Sequence, residues 1–147
     1  MNYREFTEAE QKRYNDFASK YIFYAFSDKQ FIEGMKAKGL DPETDKDKVY
    51  SMFGGGFYKK EDAAKVREMF QSLEDNRKKQ IEADTTGEGF IYEMFLYELN
   101  NHEYSYTGDM EDTLNALGLT VEEINANEAL LTGLHKAIAE IEAHEEE

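Results

Sequence analysis

Negative charge is concentrated in the second half of this chain. Residues 80–147 contain 17 Asp and Glu and a single base, Lys136, whereas residues 1–79 contain 15 acidic residues against 16 Lys and Arg. Repulsion between so many negative charges opposes a compact fold. A protein usually retains such charge because its electric field aids solubility, repels nucleic acid or attracts a basic partner. The same charge argues against direct binding to nucleic acid and against binding to anionic membranes.

The composition is nevertheless that of a folded protein. Apolar residues make up 40% of the 147 residues and include ten Phe and ten Tyr, too many aromatics for a disordered acidic tail. The length predicts one globular domain over residues 1–147, burying roughly two thirds of its unfolded surface. No Cys is present, which excludes disulfides, thiolate metal sites and a Cys nucleophile. A polar N-terminus and the lack of an apolar run of about 20 residues predict a cytoplasmic protein without a membrane span.

Helix and strand signals predict an α+β fold that is predominantly helical, with five to six helices and a short two-stranded β-hairpin or small sheet. A capping box at Thr7 and Glu10 predicts a first helix over about residues 7–20. A second box, at Ser27 and Gln30, predicts the start of the next helix.

Two aromatic segments are the predicted strands. Residues 21–26 are short, β-prone and stopped by Ser27, and residues 49–53 lead through the glycines 54–56 into a loop or tight hairpin. We expect the two segments to pair.

The remaining helices are predicted downstream. A long helix is expected from about Glu61, and residues 90–99 are apolar nearly all round, which indicates a central helix buried on most sides. A short helix is expected over residues 109–117, ended by Gly118.

The last predicted helix, over about residues 121–143, is strongly acidic and opens at a third capping box. Apolar residues seven apart form a narrow seam along it, in which Asn127 takes one equivalent place. The seam either docks on the rest of the domain or forms a dimer contact, in which a buried Asn127 would set the register. The candidate self-association residues are Ile124, Leu131, Leu134 and Ile138.

Patterns typical of catalysis or metal binding are missing. The oxygen-rich loop 41–47 lacks the ligand order of a calcium loop, and the glycines 54–56 lack the spacing of nucleotide-binding loops. The three His residues do not match a zinc pattern. We therefore expect no catalytic residues, no metal and no cofactor.

The acidic surface is the candidate functional feature. Helical residues three or four apart are neighbours, so acids such as Glu88, Glu93 and Glu98 recur at separations similar to those of phosphates along a nucleic-acid strand. A solubilising coat is the alternative explanation. The predicted partner-binding residues are Asp109, Glu111, Asp112, Glu122, Glu123, Glu128, Glu140 and Glu142.

Three sequence blocks carry a resemblance. The segments FYAFSDKQF (residues 23–31), GGGF (54–57) and YELNNHEYSYTGDMEDTLNALGL (97–119) resemble a family of small acidic uncharacterised proteins carried by phages and conjugative elements of gut bacteria. The resemblance implies a mobile-element setting in a bacterial host cell, where small acidic proteins resemble antirestriction and anti-CRISPR inhibitors in composition. It implies no catalytic residues.

These features lead to one leading hypothesis and two alternatives. The leading hypothesis is a non-enzymatic mobile-element inhibitor that mimics nucleic acid and occludes the basic surface of a defence nuclease, such as a CRISPR effector. The first alternative is a dimeric adaptor or structural protein that uses its terminal helix and aromatic strands. The second is a hydrolase that uses acidic residues and a divalent ion.

Overall fold

The structure, a computed structural model, describes residues 1–145 and contains two compact units. The helical unit comprises Met1–Glu8 and Asp75–Glu147, and the sheet unit comprises Ala9–Glu74. The chain passes from one unit to the other inside two helices. This division is finer than the one domain expected from the length, and the expectation of a single folding domain stays a prediction.

The described residues form eight α-helices and three β-strands, together with 3-10 turns at Lys46–Lys48 and Lys60–Asp62. In chain order the elements are α1 (Tyr3–Tyr21), β1 (Ile22–Tyr24), α2 (Asp28–Ala37), β2 (Val49–Met52), β3 (Gly56–Lys59), α3 (Ala63–Ala83), α4 (Phe90–Asn101), α5 (Tyr104–Thr107), α6 (Glu111–Leu117), α7 (Val121–Asn125) and α8 (Glu128–Glu145). The predicted fold class, α+β and predominantly helical, is confirmed, with more helices than the five to six expected.

The sheet unit is built on an antiparallel sheet with the strand order β1-β3-β2. β2 and β3 form the expected hairpin, and β1 pairs with β3 rather than with β2. On one face of the sheet Phe23 and Phe57 stack with their ring centroids 5.4 Å apart, and Phe31 of α2 contacts both rings. Gly34 of α2 allows this packing, since a Cβ there would lie 2.2 Å from the Phe23 ring.

The helical unit has α4 at its centre, as the apolar run over residues 90–99 predicts. Ile91, Met94, Phe95 and Leu99 are completely buried. α8 packs against α4 so closely that Gly133 is required, because a Cβ at this position would lie 2.6 Å from the carbonyl oxygen of Gly87. Burial of this apolar core supplies the main favourable term that opposes the repulsion between the surface carboxylates.

The start of α1 differs from the prediction. Helix α1 begins at Tyr3, and the Asn2 side chain accepts a hydrogen bond from the Glu5 N–H at 2.8 Å while the Glu5 carboxylate accepts from the Asn2 N–H at 3.4 Å. This reciprocal pair is the capping box. The box predicted at Thr7 is wrong, because Thr7 lies inside the helix and its hydroxyl donates to the carbonyl of Arg4. Asn is at least as good an N-cap as Thr, and the earlier start buries Tyr3.

The second predicted box is placed correctly. Ser27 caps α2 by accepting a hydrogen bond from the Gln30 N–H at 3.2 Å. The Gln30 side chain reaches one residue further back than in the standard box and accepts from the Phe26 N–H at 2.7 Å.

The single terminal helix expected over residues 121–143 is two helices. Thr120 caps the short α7, as predicted, and the helix stops at Asn125. Asn127 is exposed and caps α8 by accepting a hydrogen bond from the Leu130 N–H at 3.1 Å. The seam is therefore interrupted at Asn127, because a side chain that can cap a helix start favours a new helix over a continued one. Burial of Asn127 in a dimer stays a prediction.

Candidate acidic binding surface

The net charge of the chain lies entirely in the helical unit. This unit contains 20 Asp and Glu against five Lys and Arg, a net of −15, while the sheet unit contains 12 of each and is neutral. The division by compact unit is nearly as sharp as the division along the sequence, where residues 1–79 have a net charge of +1 and residues 80–147 of −16. The negative field therefore belongs to one folded unit.

All eight acids predicted to bind a partner are exposed. Five of them lie in the first turn of a helix: Glu111, Asp112, Glu122, Glu123 and Glu128. Carboxylates at a helix N-terminus interact favourably with the helix dipole, by about 0.3–1 kcal/mol each. These five residues therefore have a local stabilising role in addition to any role in binding.

Three further contacts define how these acids are held. The Asp109 carboxylate accepts a hydrogen bond from the Glu111 N–H at 2.9 Å and so orders the start of α6. The Thr120 hydroxyl contacts the Glu123 carboxylate at 3.2 Å. Glu140 lies 2.9 Å from Nε2 of His144 on the next turn of α8.

The acids of α8 form two groups instead of an uninterrupted row. Glu128 begins the helix, whereas Glu140 and Glu142 lie near its end, and twelve residues of helix correspond to about 18 Å. The exposed positions between them are occupied by residues that carry no negative charge: Thr132, His135, Lys136 and Ala139. The predicted residues therefore fall into a group at the starts of α6, α7 and α8 and a second group at the end of α8.

Two of the acids proposed as part of a phosphate-like row have internal partners. Glu93 accepts a hydrogen bond from the Tyr3 N–H at 2.8 Å, and Glu98 accepts one from the Tyr3 hydroxyl at 2.9 Å. Both side chains are only partly exposed, whereas Glu88 is exposed. Glu93 and Glu98 therefore hold the N-terminal segment and are less available to a partner than Glu88.

The single base of the C-terminal portion does little to neutralise this surface. Nζ of Lys136 lies 4.5 Å from the centre of the Tyr92 ring, a cation–π contact that occupies the ammonium group. Within residues 1–145, none of the eight predicted acids is paired with Lys or Arg. Their charges are therefore open to solvent and to a partner.

The apolar seam proposed for self-association is used inside the helical unit. Ile124 and Leu134 are 3% and 5% exposed, and Leu131 and Ile138 are partly buried against the same core. This placement agrees with the docking alternative for the seam. A dimer through these residues stays a prediction.

One loop has a role that the sequence reasoning missed. The Asp84 carboxylate accepts hydrogen bonds from the N–H groups of Gly87, Gly89 and Ile91 at 3.0–3.2 Å and one from the Thr86 hydroxyl at 3.0 Å. Burial raises the pKa of Asp84, but these donors outweigh it, first the Ile91 N–H, and the net pKa is lowered. An Asp followed by two Thr and a Gly at a helix boundary is the signal that could have identified this cap.

The oxygen-rich loop at residues 41–47 is ordered by its own backbone. The Asp41 carboxylate accepts from the N–H groups of Glu43 and Thr44, and these hydrogen bonds lower its pKa. Asp45 accepts from the Asp41 N–H. In the part of the chain that the structure describes, no three His, Asp or Glu side chains are grouped so as to hold a metal ion. Among the same residues, no helix has both the length and the apolarity that a bilayer crossing requires.

Comparison with known proteins identifies a family. No curated protein and no solved structure matches the chain. Residues 4–140, nearly the whole chain, match the family described as "Family of unknown function (DUF7659)". The chain therefore belongs to the DUF7659 family of unknown function.

Proposed function

We propose that the protein is a non-catalytic binding protein whose helical unit imitates nucleic acid and occupies the basic surface of a nucleic-acid-binding partner. The observation that carries the proposal is the separation of charge between the two units, −15 against zero. A coat that served only solubility would have no reason to leave one folded unit neutral. The packing of α4 against α8 forms the core of the helical unit, and this core holds the helices that carry the carboxylates.

The first group of acids is the expected contact surface. Two adjacent pairs of acids lie at the starts of consecutive helices, Glu111 and Asp112 in α6 and Glu122 and Glu123 in α7. Glu128 begins α8, the next helix. Since the helices fix the backbone of these residues, little conformational entropy of the main chain is lost on binding. Glu140 and Glu142 supply the second group.

The resemblance described above supports the class of partner. Proteins of phages and conjugative elements meet the nucleases with which their bacterial hosts defend themselves, and such a nuclease binds DNA or RNA through a basic channel. The proposed function is therefore inhibition of a defence nuclease, such as a CRISPR effector, in the cytoplasm of a bacterial host. Carboxylates at the channel would exclude the nucleic acid by occupying its site.

Electrostatic binding of this kind has a clear signature. The negative field attracts a basic partner at long range. The complex weakens as the salt concentration rises, because the release of counterions on binding is then less favourable. A complex held by apolar contacts would show little dependence on salt.

The experiment is a capture of partners from bacterial lysate on the immobilised protein, washed at low and at high salt. We expect a basic nucleic-acid-binding protein that is released as salt rises, and that added DNA or RNA also displaces. The purified partner should lose its nuclease activity when the protein is present in excess. A captured partner that resists salt, or that binds nucleic acid and this protein at the same time, would contradict the proposal.

A further inference from the structure

The sheet unit carries a groove that the acidic surface does not explain. The groove has a volume of about 600 Å³ and lies between the β2–β3 hairpin and α3. Tyr50, Met52 and Tyr58 contribute from the strands, and Val66 and Phe70 contribute from the helix. The lining is thus mixed, because Ser51, Arg67, Gln71 and Glu74 line it beside the aromatic and aliphatic residues.

The groove is open to solvent. Tyr50 remains 46% exposed and Phe70 42% exposed, although both are aromatic residues of the lining. Pockets for small molecules enclose most of the ligand surface. A shallow groove with exposed rings suits an extended chain better than an enclosed small molecule.

One basic residue lines the groove and a second lies beside it. Nζ of Lys60 lies 4.9 Å from the centre of the Tyr50 ring, and the exposed Arg67 lines the groove. Within the described residues, neither side chain forms an ion pair. Glu74 also lines the groove, seven residues along α3 from Arg67, which corresponds to about 10 Å. A carboxylate on the occupant would complement Lys60 and Arg67.

The groove lies beside an open sheet edge. Among residues 1–145, β2 pairs only with β3, so one side of β2 carries backbone N–H and C=O groups without a strand partner there. Tyr50 and Met52 are alternate residues of β2 and therefore share the face that lines the groove. A strand added at this edge would direct its own alternate side chains toward the same groove.

We propose that the sheet unit binds an extended acidic peptide segment of a partner protein, which adds a strand to β2 and places apolar side chains and a carboxylate in this groove. The apolar side chains contact the Tyr50 and Phe70 rings, and the carboxylate pairs with Arg67 and Lys60. Backbone hydrogen bonds to β2 supply affinity that does not depend on sequence, and the groove selects the alternate side chains. This site belongs to the sheet unit, and the proposal does not depend on the function proposed for the acidic surface.

The test uses the full chain at physiological salt and a synthetic peptide, acetyl-TFTETFT-amide, in which Phe, Glu and Phe alternate with Thr. We expect binding by isothermal titration calorimetry, and at least about tenfold weaker binding of the matched peptide with Lys in place of Glu. Equal affinity for the two peptides would overturn the carboxylate contact and with it the proposal.

Two protein variants and one chemical change complete the test. Arg67→Glu should weaken peptide binding at least about tenfold, whereas Lys12→Glu, an equal charge change at an exposed position of the same unit, should leave it unchanged. Lys60→Glu is the second variant and should act like Arg67→Glu, provided that circular dichroism shows the native helix content. Equal effects of Arg67→Glu and Lys12→Glu would contradict the proposed site.

Strand addition is tested with two N-methylated peptides, one methylated at odd and one at even positions. Only alternate N–H groups of an added strand face β2, so one peptide should lose binding and the other should keep it. Equal affinities of the two would exclude strand addition. Sedimentation of the protein alone addresses a second copy as the occupant: a dimer abolished by Arg67→Glu would also overturn the proposal.

Discussion

The hydroxyl of Tyr3 donates a hydrogen bond to Oε1 of Glu98 across 2.9 Å and joins the first turn of α1 to α4. Burial, followed by the charge of Glu98, raises the pKa of Tyr3 well above its ordinary range. His102 lies 3.5 Å from the other oxygen of the same carboxylate. The acids of the helical unit are therefore of two kinds, those that hold the fold and those that face solvent.

Tyr3→Phe tests whether an acid of the first kind, Glu98, stabilises the fold. Removal of the hydroxyl should lower the free energy of unfolding by about 1.5–3 kcal/mol, because one hydrogen bond to a charged group is lost while the ring remains. Tyr106→Phe is the matched control, since Tyr106 is 89% exposed and no effect is expected. Urea denaturation at neutral pH measures both. Equal stabilities of the two variants would show that the Glu98 contact contributes nothing.

Asp84→Ala should remove the cap of α4. The N-cap residue Gly89 has no side chain, so Asp84 takes its place by accepting from the Ile91 N–H. We expect a loss of about 2 kcal/mol in the free energy of unfolding, measured by urea denaturation. A loss below about 0.5 kcal/mol would mean that water replaces the carboxylate without cost.

The same residue predicts a dependence on pH. The folded pKa of Asp84 is lowered, so its contribution is fully present above the unfolded value near 3.9 and is lost as pH falls through the lower folded value. Thermal unfolding from pH 6 to pH 2.5 should therefore show a steeper loss of stability below pH 4 for the natural chain than for Asp84→Asn. Parallel curves would contradict the assignment.

Gly133→Ala tests the close approach of α8 and α4. In most helices this change is stabilising by about 1 kcal/mol, because Gly is a poor helix former. Here the added Cβ would lie 2.5 Å from Cγ2 of Ile91 and 2.6 Å from the Gly87 carbonyl, so we expect a loss of about 1–3 kcal/mol. Thr132→Ala, at the exposed neighbouring position, should be neutral or stabilising. A stabilising Gly133→Ala would disprove the packing.

Glu103→Gly should stabilise the protein. Glu103 follows α4 with φ of +59°, the only positive φ at a non-glycine residue in the described part of the chain. Gly adopts this conformation without the steric cost of a Cβ, so we expect a gain of about 1 kcal/mol in the free energy of unfolding. Glu103→Ala retains a Cβ and is the matched control, with no comparable gain. Equal gains for both variants would point to the charge of Glu103 and not to its backbone.

The sequence predicts the elements of this fold better than their ends. Residues 90–99 are apolar nearly all round and become α4, which is buried on most sides because this removes most of these side chains from water. The start of α1 was misplaced, since Asn2 and Thr7 are both good caps and only the burial of Tyr3 decides between them. The break at Asn127 is not predicted either, because the apolar repeat favours a continued helix at the same residues where Asn127 favours a new helix start.

The candidate site was predictable in its charge but not in its geometry. Exposure of acids such as Glu122 follows from the cost of burying an unpaired carboxylate. The internal use of Glu93 and Glu98 was not predictable, because it depends on contacts with Tyr3, about 90 residues away. The groove beside Tyr50 was also missed, since it requires β2 and α3 to be brought together.

The binding of the acidic surface is tested most directly by moving the same charge change between the two units. One variant reverses Glu111, Asp112, Glu122 and Glu128 to Lys in the helical unit, and its matched control reverses Asp16, Glu33, Glu43 and Glu68 in the sheet unit, all at exposed positions. Circular dichroism and thermal unfolding establish that each variant is folded. The Lys variant loses favourable interactions with the helix dipoles, worth about 0.3–1 kcal/mol each. If this loss unfolds the protein, a variant with Gln or Asn at the same four positions replaces it.

The measurement is the affinity of each variant for the captured basic partner, determined at several salt concentrations. Our account predicts that the helical-unit variant loses binding and the salt dependence of any remaining affinity, while the control keeps both. Equal losses in the two variants would mean that only the net charge matters, and unchanged binding of the helical-unit variant would contradict the proposed mimicry of nucleic acid.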